Sequence, residues 1–457
     1  MKKASLALAV AAGTLGLTLG NVANAAFIED STAKLDLRNY YFNNDVRDTD
    51  SPSNKEWGQA FQLNLQSGFT EGTVGFGVDA IGLLGVRLDG GGRAGKPGQS
   101  RTPLSSGSTG TLFPLDSDGS AENEFSSLGL TGKVRFSKTV AQIGTLQPKL
   151  PVVTFNDGRL VPQTFEGAQI TSNEIENLTL IAGQLEHAKG RASSNSDSLS
   201  IAGSANGADS NKFYYGGADY KINKDLLVQY YYGNLDDFYK QHFLGLTHTL
   251  ALGAGSLKSD LRYFDTSSDG KNGSAAGRAD GYRGSGYYGR NAAGTAITSG
   301  EVDNRAWSAF FTYSLEGHAL SAGYQQLSGD SNFIQLNQGN IPGGQGGATT
   351  YLITDRQITN FGRAGERTWI TQYGYDFGKI GVPGLTANVL YMKGDNIKSA
   401  AGDLKEWERD LTISYVVQQG AAKGLGFAWR NASLRSETSS GDVDQNRLIV
   451  SYSIPLL

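Results

Sequence analysis

From Ala33 to the last residue the chain runs as short segments in which apolar and polar side chains alternate. Ala33, Leu35 and Leu37 alternate with Lys34, Asp36 and Arg38. Leu128, Leu130, Val134 and Phe136 share one parity against Thr131, Lys133 and Arg135. Leu257, Leu261 and Tyr263 oppose Lys258, Asp260 and Arg262, and Leu411, Ile413, Tyr415 and Val417 oppose Asp410, Thr412 and Ser414. Leu448, Val450, Tyr452, Ile454 and Leu456 close the chain on one face. Period two places successive side chains on opposite faces of a strand, so the chain is all-β.

Strands are expected near 33–42, 57–69, 73–83, 126–137, 139–146, 163–172, 177–186, 212–221, 225–233, 238–250, 256–264, 305–314, 318–327, 366–377, 385–393, 408–418, 424–433 and 444–455. That is an even number, eighteen, with connections that alternate in length. Short turns such as Thr70-Glu71-Gly72, Lys221–Asp225 and Gly253–Ser256 contrast with long polar loops near 84–125, 187–211, 265–304 and 328–365. This is the pattern of an antiparallel transmembrane β-barrel, whose strands need only about 9–11 residues to cross. A soluble sandwich or propeller also alternates, but it needs apolar side chains where these strands carry charge in mid-segment. A large barrel has a wet interior and tolerates them. Aromatics near segment ends (Trp57, Phe69, Tyr220, Tyr232, Trp307, Tyr373, Tyr391) suit the interfacial girdles of such a barrel.

The N-terminus agrees. Lys2 and Lys3 precede an apolar stretch from Leu6 to Leu19, and Ala23-Asn24-Ala25 is a signal-peptidase site. Residues 1–25 are thus read as a signal peptide and 26–457 as the barrel, a protein exported to the bacterial outer membrane. Beyond residue 25 no apolar run reaches the roughly 18 residues of a spanning helix. The first strand begins too soon after the cleavage site for an energy-coupling plug domain to precede it.

Other chemistry has little support. With Cys 0 there is neither a disulfide framework nor a Cys-based zinc site. Gly is 62 of 457 residues but without a three-residue period, so collagen is excluded. Removing the two leader lysines from 40 basic residues leaves 38 against 44 acidic ones, a balance unsuited to coating nucleic acid. The stretch from Gly90 to Lys96 has the spacing of a phosphate-binding loop, but Pro97 stands where Ser or Thr must hold Mg²⁺. Gly284, Gly286 and Gly289 lack a strand–helix frame. His187, His242, His248 and His318 are scattered, so no triad, metal site or cofactor site is indicated. A barrel hydrolase is the enzymatic alternative; it requires a Ser or Asp nucleophile beside one of these histidines.

Longer motifs go further. Phe27-Ile28-Glu29-Asp30 with Leu35–Phe42, Gly144–Val153, Asn156–Gly167, Arg363–Trp369, Gly381–Thr386 and Trp407–Asp410 together resemble the OprD-type substrate-specific porins of Gram-negative bacteria, over residues 27–457. The resemblance implies an eighteen-stranded monomeric barrel, a trimer being the alternative, with an inward-folded third loop and a basic ladder leading to a constriction. Leu457 stands where many outer-membrane proteins end in Phe.

By parity Arg38, Lys133, Arg135, Arg262 and Arg430 point into the lumen from different strands. A line of guanidiniums replaces the hydration of an anion stepwise, and the Arg fork suits a carboxylate. The bland reading pairs these cations with Asp36, Asp260 or Asp410. Thr412 and Asn388 thin the ladder. Pro148, Pro151 and Pro162 withhold backbone donors, so Pro148–Phe165 cannot extend the hairpin. Leu150, Val152, Val153, Phe155 and Leu160 would gain from packing on an inner wall. The segment is therefore expected to fold inward as the constriction, with Asp157 and Arg159 at its tip and Asp330 and Arg363 as opposite walls. The expected function is passive, selective diffusion of small carboxylate or amino-acid solutes, with outer-membrane lipid as the surrounding partner. The alternatives are a cation-preferring channel for basic amino acids or peptides, and a general porin.

Overall fold

The computed structural model describes residues 27–47, 53–93, 110–288, 299–337, 349–438 and 441–457. The proposed signal peptide, Gly95–Pro97 of the glycine-rich stretch and Gly289 lie outside the described residues. Eighteen strands form the wall: β1 (Thr32–Val46), β2 (Asn54–Gln66), β3 (Val74–Asp89), β4 (Glu124–Phe136), β5 (Thr139–Leu146), β6 (Thr164–Ser172), β7 (Leu178–Lys189), β8 (Phe213–Asn223), β9 (Leu226–Leu235), β10 (Tyr239–Leu252), β11 (Gly255–Ser268), β12 (Asp303–Leu315), β13 (His318–Gly329), β14 (Arg367–Asp376), β15 (Leu385–Ile397), β16 (Leu404–Val416), β17 (Gly426–Ser436) and β18 (Val443–Pro455). Each pairs antiparallel with the next. β18 returns to β1 in a register running from Lys34↔Pro455 to Val46↔Val443. Closure satisfies every strand edge, which a lipid-embedded sheet requires.

Short connections gather at one end of the barrel and longer ones at the other. At the turn end, Glu316 (φ 48°) and Gly317 (φ 87°) are both left-handed, the geometry of the primed two-residue turns that match strand twist. Several strands run beyond the expected boundaries at the loop end: β1 reaches Val46, β3 reaches Asp89, and β16 begins at Leu404. The reason is visible in Asn43, which pairs with both Lys55 and Asn446. Above the apolar belt both faces are polar, so the alternation fades while the backbone ladder continues.

The outer face bears the apolar parity: Leu128 is 72% exposed, Ile143 69% and Leu320 62%. Such exposure across a belt of strands is lipid contact. The core lies inside, where loops pack on the inner wall. Two wall glycines make that approach feasible. A Cβ on Gly58 would stand 2.8 Å from Leu160 and 2.7 Å from Phe113, and one on Gly233 would stand 3.0 Å from Val152. Phe69 departs from the girdle expected for it. It folds over the lumen side, its ring beneath Lys133 and Arg135 at 4.9 and 4.5 Å. Two cations provide an alternative to lipid for an aromatic face.

Candidate constriction and lumen charges

The segment between β5 and β6 turns into the barrel. Val152 and Val153 bury among Phe213, Leu235, Phe243 and Phe333, while Leu160 and Val161 bury among Tyr40, Phe42, Ala60 and Phe113. Between these anchors lies the tip. Asn156 accepts the Gly158 N–H at 2.7 Å through its side chain, tightening the turn. Arg38 grips Asp157 through two parallel hydrogen bonds of 2.7 and 2.9 Å and donates to the Arg159 carbonyl at 2.9 Å. The Tyr40 hydroxyl donates to the Gly158 carbonyl at 3.1 Å, and Gln62 to the Leu160 carbonyl at 3.3 Å. Inward residues of β1 and β2 therefore tether the tip. A cavity of about 320 Å³ borders the Arg38–Asp157 pair and includes Asp36, Gln62 and Asn64.

A second segment, between β13 and β14, faces it; the two meet at a bridge between Thr154 and Thr349. Glu408 of β16 holds this segment by accepting the N–H groups of Gln357, Ile358 and Thr359 at 3.2, 2.9 and 3.0 Å. One carboxyl group answering three backbone donors is a strong anchor, because each donor would otherwise be left without a partner. Arg262 donates to the Tyr351 carbonyl at 2.9 Å with its guanidinium 4.1 Å from the Tyr351 ring centroid. Burial lifts the Asp355 carboxyl above the ordinary range, against the hydrogen bonds it accepts from Thr350. A cavity of about 340 Å³ adjoins Arg262, Phe310, Tyr351 and Arg356.

The residues expected to act together separate into groups. Arg38, Asp157 and Arg159 meet at the tip. Lys133 instead pairs with Asp79 at 2.6 Å and donates to the Ser67 carbonyl at 2.7 Å, and Arg135 covers Phe69; both sit beside the β2–β3 turn. Arg262 is gripped by Asp260 at 2.9 and 2.7 Å, so its charge is largely answered within the chain. Arg430 stands between Thr412 and Arg447 in the strand register. Asp330 pairs with Lys398 at 2.8 Å and Arg363 with Glu406 at 3.5 Å, which places both at the loop end of β13 to β16 rather than against Asp157.

Three further arginines, which parity alone did not single out together, lie on the inner side. Arg191 donates to Asn156 at 3.2 Å, Arg447 is buried on β18 and donates to Gln445 at 2.7 Å, and Arg356 approaches Phe310. Arg447 was readable, because it has the parity opposite to Leu448 and Val450. Arg191 and Arg356 lie in loops, where periodicity carries no signal. Arg159 donates to the Gly158 carbonyl and covers the Phe42 ring at 4.9 Å. Burial, and then the charge of Arg191, pull the Arg159 guanidinium down to about 10; burial, and then Arg447, do the same to Arg191. The hydrogen bonds of these arginines go to neutral oxygens, while the Glu56 carboxyl attracts Arg159 and the Asp355 and Asp157 carboxyls attract Arg191.

Of the histidines, His187 lies beside Glu166, His242 beside Tyr230 and His318 beside Tyr373. Among the described residues no group of three His, Asp or Glu is placed to hold a metal.

Comparison with known proteins agrees with this architecture. The family profile described as outer membrane porin, OprD family, matches residues 25–456. The chain is 34% identical to Porin D of Pseudomonas aeruginosa, covering 100% of this chain and 99% of that protein. It is also 34% identical to the porin-like protein GalP of Pseudomonas putida, covering 94% and 93% respectively. Among solved structures, OccK8 (OprE) of Pseudomonas aeruginosa superimposes with a TM-score of 0.84 at 59% identity, covering 95% of this chain and 100% of that one. OpdK of the same organism, solved with vanillate, gives 0.78 at 33% identity over 94% and 100%.

Proposed function

The chain belongs to the OprD family of outer-membrane porins, and from that premise we propose that its channel passes small carboxylate-bearing solutes by passive diffusion. Family and fold point to a channel rather than an enzyme. The observation that carries the substrate class is the cluster of Arg159, Arg191 and Arg447 at the tip of the inward loop, bonded to neutral oxygens. A carboxylate entering the constriction loses water and gains guanidinium donors in its place. Arg38 and Arg262, already answered by Asp157 and Asp260, serve more as supports than as ligands. Vanillate, the molecule in the OpdK structure, is itself a carboxylate and a suitable probe.

A cation-preferring channel draws on the inward acids Glu406, Glu408 and Asp410 of β16. Two of these are committed: Glu408 to three backbone donors and Glu406 to Arg363 and Ser436. Their charge anchors the loop more than it invites a cation.

The test is reversal potential in planar bilayers across a salt gradient, followed by liposome swelling with vanillate, other carboxylates and neutral sugars of equal size. Anion-selective sign and faster swelling with carboxylates are expected. A cation-selective sign overturns the reading. Arg159→Gln, Arg191→Gln and Arg447→Gln should each weaken the anion preference, and Arg38→Gln should weaken it less. Removing residues between Val153 and Val161 should raise single-channel conductance; unchanged conductance in a folded deletion puts the constriction elsewhere.

A further inference from the structure

On the outer face, near the loop end, one row of cross-strand partners reads Tyr324, Trp369, Lys393, Trp407 and Arg435 across β13 to β17. The next row toward the turn end reads Thr371, Tyr391, Arg409 and Ser433. The rings stand in two runs, Trp307 to Tyr324 at 5.4 Å and Tyr324 to Trp369 at 4.8 Å, then Tyr391 to Trp407 at 5.9 Å. Trp369 is 62% exposed, and Lys393 and Arg409 are exposed beside it. Closer to the turn end the same face carries Val389, Leu411, Ile413 and Tyr415, the belt that meets hydrocarbon. Trp and Tyr collect where that belt ends and head groups begin.

Lys393 and Arg409 are unlike other cations of the rim. Arg305 has Asp265 at 3.6 Å, Lys212 has Asp236 at 3.5 Å, and within the same row Arg435 has Asp444 at 3.0 Å. Lys393, flanked in its row by two tryptophans, has no carboxylate within 4 Å among the described residues. Among the described residues Arg409 donates to neutral groups alone, Asn431 at 3.2 Å and Ser433 at 3.1 Å. Asp395, the nearest acid in the register, faces Arg367 one layer above Lys393. A cation at the head-group level costs little to place there and attracts an anionic head group.

We propose that this face of β14 to β17 binds the phosphorylated glycolipid of the outer leaflet. Arg409 and Lys393 hold one phosphate, while Trp369, Trp407 and Tyr391 bracket the sugar and ester region. Arg supplies the fork that matches phosphate oxygens and Lys a point charge beside it.

The test uses the full barrel in detergent micelles, with bisphosphorylated lipid A and the same lipid stripped of phosphate as probes, and retention read by native mass spectrometry. Bisphosphorylated lipid A should be retained about tenfold more strongly than its dephosphorylated form, a difference of about 1.4 kcal/mol. The double substitution K393Q/R409Q should abolish that preference, whereas R305Q should leave it intact. Both substituted side chains face away from the lumen, so unchanged conductance in bilayers certifies the fold of the variant. Equal retention of the two lipids by the unaltered protein overturns the proposal, and this arm needs no variant. A preference that survives K393Q/R409Q, or is lost equally in R305Q, also overturns it.

Discussion

The Arg38 guanidinium and the Asp157 carboxylate meet through two parallel hydrogen bonds, joining the first strand of the barrel to the tip of a loop 119 residues later. The pair both holds the tip of the inward loop and cancels one positive charge beside it. Asp157→Asn removes the cancellation but keeps an acceptor for Arg38. Anion selectivity should rise, and the tip should loosen by about 1 kcal/mol, because the pair is partly exposed and screened. Reversal potential and single-channel noise read the two effects separately. An unaltered reversal potential would remove Asp157 from the conducting path.

Glu408 anchors the facing loop. Glu408→Ala leaves three backbone N–H groups without their acceptor and should cost about 2–4 kcal/mol, with frequent conductance steps as the 349–366 segment moves. Glu408→Gln retains one acceptor oxygen and should lie between. Quiet channels of ordinary thermal stability in the Ala variant would show that the loop is held elsewhere.

The two faces of β16 make opposite predictions for adjacent residues. Ile413 aligns with Ala387 and Trp429 on the outer face, whereas Thr412 aligns with Asn388 and Arg430 on the inner one. Arg at Ile413 should cost about 2–4 kcal/mol in folding into vesicles. Arg at Thr412 should fold normally and strengthen anion preference. Equal folding of the two would mean a register one residue away, since such a slip exchanges the faces.

Selectivity should be insensitive to mild pH change. Burial lowers Arg159 and Arg191 only to about 10, so their protonated forms are disfavoured by folding yet still dominate at neutral pH. The sign for a base with a depressed value is that its charge costs stability at lower pH and the cost fades as pH rises through the folded value. Anion preference should therefore hold from about pH 6 to about pH 8, because guanidiniums keep their protons there. A large loss inside that window, measured by reversal potential, would assign selectivity to carboxylates instead.

Much of the wall was legible in the chain itself. Each strand obeys a two-residue period because one face meets lipid and the other water, and that demand is local, written in neighbours such as Leu411 and Thr412. The count of eighteen, the lipid-facing parity and the inward prolines of the third loop all follow from such neighbours. Inward orientation for Arg38 and Arg262 follows in the same way, yet charge at a position is not charge available to a solute. That depends on partners: Asp157, far away in sequence, for Arg38, and Asp260, two residues away, for Arg262. Arg191 and Arg356 sit in loops with no period to mark them, and only closure of the barrel brings Arg447 from the last strand beside Arg159 from the third loop. Phe69, which by position should face lipid, is instead drawn inward by Lys133 and Arg135. Periodicity reports which solvent a side chain faces; which charges remain unanswered is decided by contacts across the lumen, and these exist only once β18 has paired with β1.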